Sequence, residues 1–84
     1  SKMSKFFLGL TKEQIVDRLT AQDARTILMA AEEGDYQFLI DVLQGNGVVP
    51  YHKMIDDDLM GEYNDRKDRI EELIADGEMP WEVD

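Results

Sequence analysis

The chain has no cysteine, one histidine, one tryptophan and two prolines among 84 residues. Without cysteine there can be no disulfide, thiolate nucleophile or cysteine–zinc site. The same absence fits a reducing, cytoplasmic setting. No apolar run approaches the roughly 18 residues of a membrane span. Phe6-Phe7-Leu8-Gly9-Leu10 is too short for the apolar region and cleavage site of a signal peptide. Ser1-Lys2 ahead of Met3 reads as an addition before a native start. There is no GxGxxG, no Walker loop and no HExxH, so none of the familiar phosphate-binding or zinc-protease arrangements is signalled. Basic residues are also scarce, with 9 lysines and arginines against 19 acids and a net charge of −10.

A chain of this length forms one domain. Such a domain buries only about 60% of the surface its unfolded chain exposes, which leaves one modest core and little room for a deep cleft. The charge is unevenly placed. Residues 1–55 carry 7 acids and 6 bases; residues 56–84 carry 12 acids and 3 bases, a net of −9. Contact with a nucleic-acid backbone needs lysine and arginine to replace counterions, so direct nucleic-acid binding is disfavoured. Anionic membranes are disfavoured for the same reason. A basic protein surface is the partner this charge favours.

The periodicity is helical. Thr11 with Gln14 forms a capping-box pattern, and Ile15, Val16 and Leu19 give the following helix its apolar face. Thr20 is expected to cap a second helix, with Asp23 near its positive end and Ala24, Ile27, Leu28 and Ala31 on its face. Gly34 ends that run, and Asp35 caps a third helix whose Tyr36, Leu39, Ile40 and Leu43 share one side. The alternation of Phe38, Ile40 and Val42 also allows a strand turning at Gly45-Asn46-Gly47 into Val48-Val49-Pro50-Tyr51, although Pro50 lacks a ladder donor. The last helix starts near Asp56 and ends before Gly77, with Gly61 a candidate for a bend or late start. The expected fold is therefore mainly α: a single-domain bundle of about four helices over residues 1–77, with an extended loop at 45–54 and an acidic, tryptophan-containing tail at 78–84. The alternative is an α+β fold with a short hairpin around 36–52.

In the last helix Leu59, Tyr63, Ile70 and Ile74 fall on one side, with Leu73 at its edge. Asp58, Glu62, Asp65, Asp68, Glu72 and Asp76 fall on nearly the opposite side. Their spacings of 3 and 4 residues place a carboxylate about every 4.5–6 Å along the axis. Phosphates along one DNA strand rise about 3.4 Å each. The row can be an ordinary solvated face that keeps a small domain soluble. It can also imitate a phosphate row and occupy the groove of a basic partner. Like charges at i,i+4 repel by about 0.2–0.5 kcal/mol per pair, and only Arg66, Lys67 and Arg69 oppose them within residues 56–76. An EF-hand register from Asp56 fails, because Met60 and Lys67 fall where oxygen ligands belong. No metal or other cofactor is expected.

His52 is the single imidazole, with no serine or threonine suggestively placed beside it, and a catalytic carboxylate would need a cleft to shift its pKa. No enzymatic activity is expected. Trp81, between Met79 and Val83, either seals the core or anchors in a partner's pocket. Phe6 and Phe7 pose the same choice. In size, lack of cysteine, polarised acidity and missing catalytic motifs, the chain resembles, as a class, the small accessory proteins with which phages inhibit or redirect host machinery. The expected function is a non-enzymatic acidic module that engages a basic, nucleic-acid-binding surface by charge mimicry, through Asp58, Glu62, Asp65, Asp68, Glu72, Asp76 and Trp81. The alternative is a structural or adaptor subunit that binds or homodimerises through Phe6, Phe7, Met79 and Trp81.

Overall fold

The computed structural model describes residues 5–45 and 50–83. The expectations for Ser1-Lys2, for the Asn46-Gly47 turn and for Val48-Val49 lie outside the described residues. Three α-helices carry the fold: α1 (Lys12–Glu33), α2 (Tyr36–Leu43) and α3 (Asp56–Ala75), with one 3-10 turn at Tyr51–Lys53. The fold is mainly helical, with three α-helices among the described residues where about four were expected. Among the described residues there is no strand, only an isolated bridge between Phe7 and Leu10. Helix over 36–43 and a 3-10 turn at 51–53 stand where the described parts of the alternative hairpin around 36–52 were expected, and the same turn takes three residues of the expected loop at 45–54.

The N-terminus of α1 forms as its sequence chemistry requires. The Gln14 N–H donates to Thr11 Oγ1 at 3.1 Å, and the Thr11 N–H donates to Gln14 Oε1 at 2.8 Å, a complete capping box. Thr20 does not cap a second helix. It sits inside α1, and its hydroxyl donates to the Val16 carbonyl at 2.7 Å, the back-bonding open to threonine in mid-helix. The apolar face set by Ile15 and Leu19 therefore continues at helical spacing to Ala30, which is buried, while Leu28 turns outward and is more than half exposed. A break at Thr20 would have reset that register; its absence explains why the expected face of Ala24, Ile27, Leu28 and Ala31 is not the buried one.

Both long helices stop by the same device. Gly34 and Gly77 take the left-handed conformation, at φ 74° and 69°. The following N–H groups reach back to orphan carbonyls, Asp35 to Ala30 at 2.9 Å and Glu78 to Leu73 at 2.9 Å, as in a Schellman motif. Gly34→Ala is expected to destabilise the fold by about 1 kcal/mol, because a Cβ disfavours this conformation. Chemical denaturation would check this; an unchanged midpoint would mean that the turn relaxes without loss.

The core lies between α1 and α3. Ile15, Val16 and Leu19 meet Leu59, Tyr63 and Ile70, with Tyr51 of the 3-10 turn in the same cluster. Phe6, Phe7, Leu10, Met54, Ile74 and Met79 pack against this cluster, half-buried. Leu73, placed at the edge of the α3 face by periodicity, is fully buried. The Tyr63 hydroxyl accepts from Arg18 at 2.8 Å, which satisfies the one polar atom of a buried ring.

Candidate protein-binding face

Helix α3 is unbroken across Gly61, so Asp58 through Glu72 stand on one element and Asp76 caps its end, about 27 Å from Asp58 along the axis at 1.5 Å per residue. Leu59, Tyr63, Ile70 and Leu73 bury the inner side. Asp58, Asp65, Asp68, Glu72 and Asp76 are exposed, and Glu62 is half-buried. The first turn adds Asp56, Asp57 and Asp58 near the positive end of the helix dipole. The segment is helical from Asp56 onward and does not form the loop that an EF-hand needs.

The opposing cations take more of the row than the sequence suggests. Arg66 pairs with Glu62, Arg69 pairs with Glu72, and Lys67 approaches Asp68 at 3.2 Å. The first two pairs are spaced i,i+4 and i,i+3, the separations that meet on a helix surface. Lys67–Asp68 and Arg69–Glu72 are open to solvent, where such pairs contribute about 0–1 kcal/mol and exchange readily. Among the described residues, Asp58, Asp65 and Asp76 enter no ion pair. The described arrangement is a row of carboxylates on the outer side of α3, half of them in contact with cations from the same helix.

Arg66 is turned toward the fold. Besides Glu62, it donates to Asp23 Oδ1 at 3.1 Å and to Gln22 Oε1 at 3.4 Å. Asp23 Oδ2 also accepts from the Tyr51 hydroxyl at 2.5 Å. Asp23 is thus not a helix-end charge but the centre of a tie between α1, the 3-10 turn and α3. Sequence reading misses this group because Asp23, Tyr51 and Arg66 lie on three separate segments and follow no shared periodicity. The only local hint is an acid in the same helical register as the apolar face of α1.

Burial, then the hydrogen bond to Asp23, push the Tyr51 phenol up from 10.0 to about 12. Burial of the Arg66 guanidinium opposes its charge, but Tyr51, Glu62 and Asp23 outweigh it and its pKa moves up. The unfolded chain releases the tyrosine proton near pH 10, whereas the folded chain holds it to about pH 12. Raising the pH through this window therefore favours unfolding. Tyr51→Phe is expected to remove this part of the alkaline stability loss, while the wild type loses stability steadily between pH 10 and 12. Urea midpoints across that range check it; parallel curves for the two proteins would contradict it.

Trp81 is held by α1. Its indole N–H donates to Asp17 Oδ1 at 3.1 Å, Glu78 accepts from Arg25 at 3.2 Å, and Met79 packs on the core. The tail thus lies back along α1, with Trp81 still 41% exposed beside an open hollow of about 480 Å³. His52 is exposed at the rim of a second groove, of about 350 Å³, lined mainly by apolar groups of Val16, Ala24, Ile27 and Pro50. The carboxylate in that groove is Asp23, already engaged by Tyr51 and Arg66. No helix among the described residues is long and apolar enough to cross a membrane. No protein family, curated protein or solved structure matches this chain.

Proposed function

We propose that this chain is a non-enzymatic acidic binding module that inhibits or modulates a partner protein by occupying a basic, nucleic-acid-binding surface. The observation that carries the proposal is the row Asp58, Glu62, Asp65, Asp68, Glu72 and Asp76 along a single unbroken helix and its C-cap, with the buried side of that helix turned away. Its contact would be electrostatic and steric, with carboxylates taking positions that phosphates otherwise fill. The cation pairs do not cancel the row, because the exposed carboxylates of Asp68 and Glu72 trade Lys67 and Arg69 for the cations of a basic surface at little cost. Trp81, partly exposed at the end of the tail, would add an aromatic contact at the margin. The adaptor alternative has less to use, because Phe6, Phe7 and Met79 pack on the chain's own core.

The test is a variant in which Asp58, Asp65, Asp68 and Asp76 become asparagine and Glu72 becomes glutamine. Glu62 is retained because it supports Arg66. Proteins captured from the native host at low salt by the wild type should be released at high salt. They should be lost with the variant. A captured protein should give up bound fluorescent nucleic acid when the wild type is added. The proposal fails if the variant retains the same partners, or if nucleic acid stays bound in the presence of saturating wild-type protein.

A further inference from the structure

Helix α2 is unlike the other two. It is predominantly apolar, YQFLIDVL, yet none of its residues is buried. It packs against α1, with Phe38, Leu39 and Val42 half-covered. On the other side, Tyr36 is 70%, Ile40 45% and Leu43 87% exposed. These three follow i, i+4 and i+7 spacing, the pattern of anchors on a helix that docks against an apolar groove or stripe. An eight-residue helix is marginal by itself in water. This one is started by Asp35, whose carboxylate accepts the Phe38 N–H at 3.2 Å. The chain thus maintains a short helix whose outer side is left to water, and contiguous apolar surface of this kind marks contact sites.

The charge around that surface says what would cover it. From Thr26 to His52 the sequence contains no lysine or arginine, while Glu32, Glu33, Asp35 and Asp41 immediately precede or lie within α2. Glu32 and Glu33 are exposed, and among the described residues Asp41 is engaged only through Gln37, at 3.1 Å. A second copy of this chain would bring uncompensated carboxylates against carboxylates, an arrangement that disfavours association. An apolar stripe flanked by lysine and arginine complements both features at once, and a basic amphipathic helix has that form.

We propose that α2 is a docking element for a basic amphipathic helix of a partner protein. Tyr36, Ile40 and Leu43 bury against its apolar side, and Glu32, Glu33 and Asp41 face its cations. This contact is separate from the carboxylate row of α3 and does not depend on it.

The test uses the full chain and two labelled helical peptides of about five turns with the same leucine pattern, one with lysine and one with glutamate at the remaining positions. The Leu/Lys peptide should bind at physiological ionic strength and the Leu/Glu peptide should not. The triple variant Tyr36→Gln, Ile40→Gln, Leu43→Gln has unchanged net charge and alters only exposed side chains. It should keep its helical circular dichroism and bind the Leu/Lys peptide at least about tenfold more weakly, given the apolar area lost. Glu32→Gln with Glu33→Gln should weaken binding and flatten its salt dependence. The α3 amide variant should bind the peptide better than the triple variant does. The proposal is overturned if the triple variant binds like the wild type, if the two peptides bind alike, or if only the α3 variant loses the peptide. It is also overturned if sedimentation shows a wild-type dimer that the triple variant abolishes, since a second copy would then occupy the face.

Discussion

Leu19→Ala is expected to destabilise the fold by about 2–5 kcal/mol, the range for emptying a well-packed leucine site. Leu19 is fully buried within the cluster that joins α1 to α3. A domain of this size has a total stability of roughly 4–13 kcal/mol, at 0.05–0.15 kcal/mol per residue. The substitution therefore removes a large share of it. At about 4–8 °C per kcal/mol for a domain of this length, the melting midpoint should fall by roughly 10 °C or more. Leu28→Ala on the same helix supplies the contrast. Leu28 is 56% exposed, and its loss should cost less than about 1 kcal/mol, as surface changes usually do. Thermal melts followed by circular dichroism separate the two. Equal shifts would mean that α1 does not bury the side described.

Asp23→Ala is expected to cost about 2–3 kcal/mol, more than an exposed carboxylate would. The aspartate accepts from Tyr51 at 2.5 Å and from Arg66 at 3.1 Å. Removing it leaves the hydroxyl of a buried tyrosine without its acceptor and a half-buried guanidinium with only Glu62 as carboxylate partner. Groups stranded in this way lose about 1–3 kcal/mol each, charged ones more. A second readout identifies the cause. Part of the upward shift at Tyr51 comes from Asp23, so the tyrosine should ionise at lower pH in the folded Asp23→Ala protein. Ultraviolet difference spectra follow this directly. If stability falls but Tyr51 titrates as before, the cost is one of helix packing and the tie is not its source.

Helix starts and stops were legible wherever they depended on neighbouring residues. Thr11 with Gln14, Asp35, Gly34 and Gly77 each satisfy backbone groups within about four residues, and their roles follow from side-chain chemistry and backbone freedom alone. Thr20 was misread because threonine serves two local purposes equally well. It can accept an N–H at a helix start or donate to a carbonyl one turn back. Only the continuity of the buried side through Ile15, Leu19 and Ala30 selects the second. The α3 row was legible as a pattern, since a straight helix puts residues three and four apart on one side. Its pairing was less so. Lys67 and Arg69 meet acids of their own turn, but Arg66 reaches Asp23, 43 residues away, a distance that no periodicity spans.

The apolar spacing of Tyr36, Ile40 and Leu43 looks in sequence like that of Leu59, Tyr63 and Ile70, yet the second set is buried and the first is exposed. By itself the sequence determined the helical periods, their end signals and the concentration of acid in the final third, because each rests on covalent neighbours. The tertiary structure alone decided which greasy sides meet and which are left outward. Burial requires a second surface, and where that surface stands depends on the path of the whole chain between the two.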